Sequence, residues 1–183
     1  MQDAFIDPAL SLGLRIFLLG LFARSVYGKL RDPVSFRATV SDYELVAASW
    51  VTPVSGALIA AESVMLVTLL PSASHVWAAR ACAVLLLLYS GAIAWNLARG
   101  RREIDCGCAG PLAQSGLHEW LVVRNGFYFV FAVTASLPVA ARPLGLLDGF
   151  TVLLAASTLL TLAVAIDGLA TGAARTRLGE ADR

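Results

Sequence analysis

Cys106 and Cys108, one glycine apart around Gly107 and preceded by Asp105, form the one chemically loaded stretch of an otherwise apolar chain. Two sulfurs at that spacing can exchange electrons as a dithiol and disulfide, or supply half the ligands of a soft metal ion. A Cys-X-Cys disulfide closes a very small ring that cannot easily reach the relaxed dihedral and Cα separation of an ordinary bridge, so it is readily reduced. Gly107 removes the β-carbon at the most crowded position and frees the backbone there. Arg99, Arg101, Arg102 and Arg124 favour thiolate character nearby, while Glu103 and Asp105 oppose it. Cys106, in the polar part of the loop, is the expected attacking thiol, and Cys108, leading toward the next apolar helix, the resolving one. The metal reading uses the same pair with His118 and a fourth ligand from Glu103, Asp105 or Glu119, a set suited to zinc or copper. A third reading leaves both thiols as unpaired structural residues. Beyond this loop there is no glycine-rich phosphate loop and no His-Glu-x-x-His, and the two histidines, His75 and His118, are far apart in sequence.

The elements that must hold this loop are membrane helices. Of 183 residues, 58% are hydrophobic and 15% charged, with a mean hydropathy of +0.74, far from the balance of a soluble domain. The fold class expected is all-α: a polytopic helix bundle in a lipid bilayer, as a single domain over 1–170, with a polar tail over 171–183. Five spans are expected, at about 8–27, 53–70, 76–97, 120–137 and 144–170. Asp7 and Pro8 suit the start of the first, and Gly28-Lys29-Leu30-Arg31-Asp32-Pro33 is expected to break it. From Ser35, Phe36, Val40, Tyr43, Ala47 and Trp50 recur at helical spacing, the pattern of an amphipathic surface helix. The N-terminus has no basic region and no small-residue cleavage site of a removable signal peptide.

Charged and polar residues inside the spans are the next candidates. Glu62, in the middle of the second span, is expensive in lipid and is expected to face the interior with a partner, either as a structural pair or in proton movement or ligand binding. Arg15 and Arg24 can snorkel from the first span, or Arg24 can face the interior. Cys82 reads as a small buried hydrophobe.

The small net charge of +1 conceals segregation that sets orientation rather than nucleic-acid binding. With five spans, Lys29, Arg31, Arg37, Arg99, Arg101, Arg102, Arg175, Arg177 and Arg183 share one side with the cysteine loop, whereas the other side carries only Arg142. The positive-inside rule therefore places Cys106 and Cys108 at the cytoplasmic face.

Several of these residues carry a resemblance. Gly28-Lys29-Leu30-Arg31-Asp32, the segment from Phe36 to Tyr43, Glu62, Asp105-Cys106-Gly107-Cys108 with Gly110, and Arg124-Asn125 resemble the methylamine utilisation protein MauE family, from about residue 12 to 137. Ala109 stands where that pattern has phenylalanine. The resemblance implies a multi-pass protein of the bacterial inner membrane that serves maturation of methylamine dehydrogenase, with four core helices laid out like the vitamin K epoxide reductase type. It implies a membrane-anchored thioredoxin-like partner, MauD. The client is the dehydrogenase small subunit, which carries many disulfides and a tryptophan tryptophylquinone. Cys106 and Cys108 would exchange disulfides with MauD, and Gly107, Asp105, Arg124, Asn125, Glu62 and Lys29 would support them. A quinone in the bundle is the candidate cofactor.

This function places the thiols toward the periplasm, against the charge count. The loop could re-enter the bundle, the protein could carry electrons across the membrane, or the partner could fix the orientation. Alongside thiol-disulfide exchange stand a non-catalytic scaffold or export helper for the same maturation, and a soft-metal carrier.

Overall fold

The structure is a computed structural model that describes residues 6–71, 73–102, 104 and 116–181. The described residues form six α-helices: α1 Pro8–Arg31, α2 Pro33–Asp42, α3 Val51–Thr68, α4 His75–Ala98, α5 Glu119–Ala135 and α6 Leu146–Ala181. Among the described residues no strand forms, although an isolated parallel bridge joins Ile6 to Val139. Among the described residues, four helices are long and apolar enough to cross a membrane, at Pro8–Arg31, Ala48–Thr68, His75–Ala98 and Leu146–Ala170. The 17 residues of α5 make a rod of roughly 25 Å at the usual rise.

The helix ends follow local chemistry. The Asp7 carboxylate accepts from the Ala9 N–H at 2.8 Å, and Pro8 occupies the first turn. The break expected over 28–33 falls at the far end of that stretch, and α1 continues past Gly28 to Arg31. Asp32, pushed out of the helical region by the following Pro33, ends it at φ −138° and ψ 76°. The same Asp32 caps α2 by accepting from the Ser35 N–H at 2.9 Å.

The amphipathic helix expected from Ser35 onward is shorter than its pattern. Glu44 adopts a left-handed φ of 50° and ends the run, leaving one 3-10 turn at Ala48–Trp50 before α3. Phe36, Thr39 and Tyr43 are its buried residues. At the other end of the chain, α6 runs on to Ala181, into the stretch expected to be a polar tail.

Side-chain pairs give the helix directions. Arg15 meets Leu69, and Lys29 meets Glu62, so α3 runs antiparallel to α1. Gly20 meets Leu160 and Arg24 meets Asp167, so α6 runs parallel to α1. The apolar core joins Leu14, Phe17, Leu18 and Phe22 of α1 to Met65 of α3, Cys82 and Leu86 of α4, and Tyr128 and Ala132 of α5. Cys82 is wholly buried there. Phe17 packs its ring on Tyr128 and Phe131 at centroid distances of 5.4 and 5.5 Å. By contrast α6 exposes Leu146, Leu147, Phe150, Leu153, Leu154 and Leu162, which suits a peripheral helix facing lipid. Arg15 reaches across to the last carbonyls of α3: its Nε donates to Leu69 O at 2.9 Å, and its Nη2 to Leu69 O at 2.7 Å and also to Leu70 O. It thereby serves acceptors that the helix leaves unpaired.

Opposite the cysteine end, a polar clasp ties the N-terminus to the connection between α5 and α6. Arg142 donates to Asp7 at 3.1 Å and to Asp148 at 3.0 Å, and Ile6 exchanges backbone bonds with Pro138 and Ala140. The Asp7 carboxyl is held below its ordinary value first by the Arg142 hydrogen bond and then by the Ala9 N–H.

Where α1 and α6 approach, Gly20 is a spacing requirement. A β-carbon there would lie 2.5 Å from Leu160 Cδ1. Gly20→Val is expected to displace Leu160 and lower stability by about 1–3 kcal/mol. Gly13→Ala, where a β-carbon meets nothing within 4 Å, should leave it unchanged. Thermal unfolding of both variants in detergent checks this.

Candidate functional site

Two polar clusters interrupt the apolar interior, both toward the end of the bundle from which the cysteine stretch emerges. In the first, Ser25 and Lys29 lie one helical turn apart on α1 and so share a face. Both turn toward Glu62 on α3 and Tyr89 on α4. Lys29 and Glu62 form an ion pair with side-chain exposures of 2% and 0%. The Tyr89 hydroxyl donates to Glu62 Oε1 at 2.6 Å and accepts from Lys29 Nζ at 3.1 Å. The Ser25 hydroxyl lies 3.2 Å from Glu62 Oε2. Lys29 Nζ also stands over the Phe36 ring at 4.9 Å from its centroid. An isolated charge at this depth would be very costly, so three helices converge to give each charge partners.

The second cluster surrounds Asp167 of α6. Arg124 of α5 donates through Nη1 to Asp167 Oδ2 at 2.8 Å, and Arg24 of α1 stands 3.8 Å from the same oxygen. Arg124 Nη2 also reaches Asn125 Oδ1 at 3.4 Å. Its guanidinium lies 5.7 Å from the ring centroid of Tyr128, one turn further along α5. A cavity of about 40 Å³ lies between the clusters, bordered by Ser25, Glu62 and Tyr89 on one side and Arg124, Asn125 and Asp167 on the other. Its walls are largely apolar, but polar groups border it on both sides and it is large enough for water.

Asp105, Cys106, Gly107 and Cys108 lie outside the described residues, but both flanks of their stretch are placed. Arg99 and Arg101 donate to the Glu44 carboxylate at 3.4 and 3.1 Å, and Arg102 pairs with Glu119. Ile104 before the thiols, and Leu117 and Leu121 after them, pack with Tyr43 and Ile93 in a second apolar cluster. Glu44 thus binds the preceding flank, while its neighbour Tyr43 belongs to the apolar cluster that takes in residues of both. The Asn96 side chain also donates to the Tyr43 carbonyl, at 3.4 Å.

At the start of α5, His118 has its pKa lowered chiefly by burial and next by the Arg124 charge. Among the described residues no three His, Cys, Asp or Glu side chains are grouped to hold a metal ion. The soft-metal set of Cys106, Cys108 and His118 falls largely on the stretch outside them.

The sequence singled out Lys29, Glu62, Arg124 and Asn125 separately. The fold brings Lys29 to Glu62 and Arg124 to Asp167, across a small cavity. Ser25, Tyr89 and Asp167 escaped sequence reading. Asp167 had a usable signal, as an acid deep in the last apolar stretch, whereas nothing local marked Ser25 or Tyr89.

A family model described as methylamine utilisation protein MauE matches residues 7–138. The methylamine utilization protein MauE of Paracoccus denitrificans is 35% identical over 164 residues, covering 86% of this chain and 86% of the relative. That of Methylophilus methylotrophus is 33% identical over 145 residues, covering 79% and 74%. That of Paracoccus versutus is 35% identical over 163 residues, covering 88% of each. No solved structure matches the chain significantly.

Proposed function

Because the chain belongs to the methylamine utilisation protein MauE family, we propose that it is a membrane thiol-disulfide exchange protein acting through Cys106 and Cys108 in methylamine utilisation. Its partner is a thioredoxin-like domain of the MauD type, and its client is the small subunit of methylamine dehydrogenase, whose disulfides it helps to form or rearrange. The protein sits in the bacterial inner membrane with five spans. The short α5 counts as one of them, four of the five follow the vitamin K epoxide reductase-type layout, and the cysteine end is reached from the periplasm.

The observation that carries the reading is the anchoring of the cysteine stretch at both ends. Arg99 and Arg101 are fixed on Glu44, Arg102 on Glu119, and Ile104 and Leu117 in the apolar cluster with Tyr43 and Ile93. A strained disulfide ring exchanges efficiently when the chain on either side of it is held in place. Cys106 as thiolate attacks a disulfide sulfur of the partner, forming one mixed disulfide and releasing one partner thiol. Cys108 then displaces that thiol's neighbour and closes the internal bridge, leaving the partner reduced for rearrangement; in reverse the same two exchanges open the Cys106–Cys108 bridge and leave the partner oxidised for bridge formation.

The test is to trap the intermediate. With Cys108→Ser the mixed disulfide has no resolving thiol and should accumulate, so that acid-quenched membranes show a reducible adduct of this chain with the thioredoxin-like partner. With Cys106→Ser the adduct should be much weaker. No adduct in either variant, with both proteins present, would overturn the reading.

A further inference from the structure

A further cavity, of about 200 Å³, lies between α5 and α6. It exists because α6 leans on α1 rather than on α5. Trp120, Arg124, Phe127 and Phe131 fall three or four residues apart and so line it from one face of α5. Ala163 and Ile166 face them from α6. Phe127 is 56% exposed and Leu162, on the opposite wall, 53%, so the cavity opens sideways to lipid rather than to water. From Trp120 to Phe131 the α5 face runs about 16 Å at the usual helical rise.

The two ends of this slot differ. Toward Phe131 it is apolar. At the other end Arg124 donates to Asp167 Oδ2 at 2.8 Å, and Arg24 stands 3.8 Å from the same oxygen, beyond hydrogen-bond distance. Two guanidinium groups thus share one carboxylate, which leaves one net positive charge in the group. The neighbouring Arg102 and Glu119 pair with each other and do not offset it. The Trp120 indole Nε1 is also enclosed there, with no acceptor among the described residues.

That combination selects the occupant. A transmembrane helix, about 10 Å across, is too thick for this volume, whereas a single acyl chain suits an apolar slot open to lipid. The excess charge calls for one anionic group, and the enclosed indole N–H for an oxygen acceptor close to it. Arg24 and Arg124 lie within about two turns of the ends of their helices, near the depth of lipid head groups. A zwitterionic head would return a positive charge to the site, so an anionic lipid is favoured.

We propose that this cavity holds one anionic phospholipid, its phosphate against Arg24 and Arg124, an ester oxygen accepting from Trp120, and an acyl chain lying between α5 and α6. The lipid fills a gap that protein packing leaves open and ties α6 to α5.

Native mass spectrometry of the purified full-length chain in detergent, titrated with dioleoylphosphatidylglycerol, tests the site. One lipid per chain is expected to bind at least about tenfold more tightly than further copies, and than dioleoylphosphatidylcholine. Arg24→Gln leaves Arg124 and Asp167 paired and should abolish the preference between the two lipids. Ala163→Phe fills the slot and should weaken both lipids about tenfold. Trp120→Phe keeps an aromatic ring, removes only the donor, and should weaken binding about threefold. Thermal unfolding without added lipid checks that each variant is folded. The Arg24 side chain is 41% exposed, so Arg24→Gln decides the matter should Ala163→Phe not fold. Equal binding of the two lipids by the wild type, an unchanged preference in Arg24→Gln, or displacement by glycerol 3-phosphate or oleate as effective as by the phospholipid would each overturn the proposal.

Discussion

Lys29→Met is expected to destabilise the folded bundle by about 3–5 kcal/mol, because it leaves the Glu62 carboxylate buried without its counter-charge. Glu62 has no exposed surface and takes its bonds from Lys29, Tyr89 and Ser25. Glu62→Gln is expected to cost a comparable amount by stranding the ammonium. The informative variant is the double one. Lys29→Met with Glu62→Gln leaves no unpaired charge and retains an amide for the Tyr89 and Ser25 hydroxyls, so most of the stability should return. Thermal unfolding in detergent of the two single variants and the double variant forms a cycle whose coupling measures the pair. Two additive single effects would mean that the ion pair is not the feature holding α1 to α3.

Cys106→Ser and Cys108→Ser are each expected to abolish formation of active methylamine dehydrogenase in cells while leaving this chain present in the membrane at its normal level. A serine hydroxyl does not ionise to a nucleophile comparable with thiolate and forms no disulfide, so neither half of the pair can be spared. Cys82→Ser serves as the contrast. Cys82 is enclosed in the apolar core of α4, where a hydroxyl costs some stability but removes no exchange chemistry. Dehydrogenase activity in extracts, with immunoblots of this chain, separates loss of function from loss of protein. Normal dehydrogenase in both Cys106→Ser and Cys108→Ser would leave a scaffold acting through its helix faces.

The two variant sets address different layers of one arrangement. The Lys29 and Glu62 pair joins α1 to α3 and, through Tyr89, to α4. Those helices form the wall on which the 43–46 segment rests. Glu44 on that segment receives Arg99 and Arg101, and Tyr43 shares an apolar cluster with residues of both flanks of the cysteine stretch. A change at the buried pair is therefore positioned to disturb the loop through packed neighbours, with no direct contact between Lys29 and the thiols required.

Much of this was legible in the residues themselves, for identifiable reasons. Membrane class follows from composition, and the apolar segments follow from length and from the prolines and polar stretches that bound them. The chemistry open to Cys106 and Cys108 is set by the two peptide bonds that separate them, so the chain itself constrains it without help from the fold. Glu62 announced that it needed a partner because a carboxylate in lipid cannot stand alone.

Which partner it takes was decided by tertiary structure. In a soluble helix the apolar stripe marks the buried face, but in a bilayer both the lipid face and the packed face are apolar, so periodicity does not say which residues meet. Lys29 therefore read as part of a chain break after 27, whereas in the fold it continues α1 to Arg31 and turns inward onto Glu62. Asp167 joining Arg124 and Arg24, and Tyr43 clustering with residues on both flanks of the loop, depend on the rotation and direction of helices distant in sequence. The residue types set what chemistry the thiols can perform. The meeting of α1, α3 and α4 sets what stands beside them, because only packing fixes which faces of uniformly apolar helices look inward.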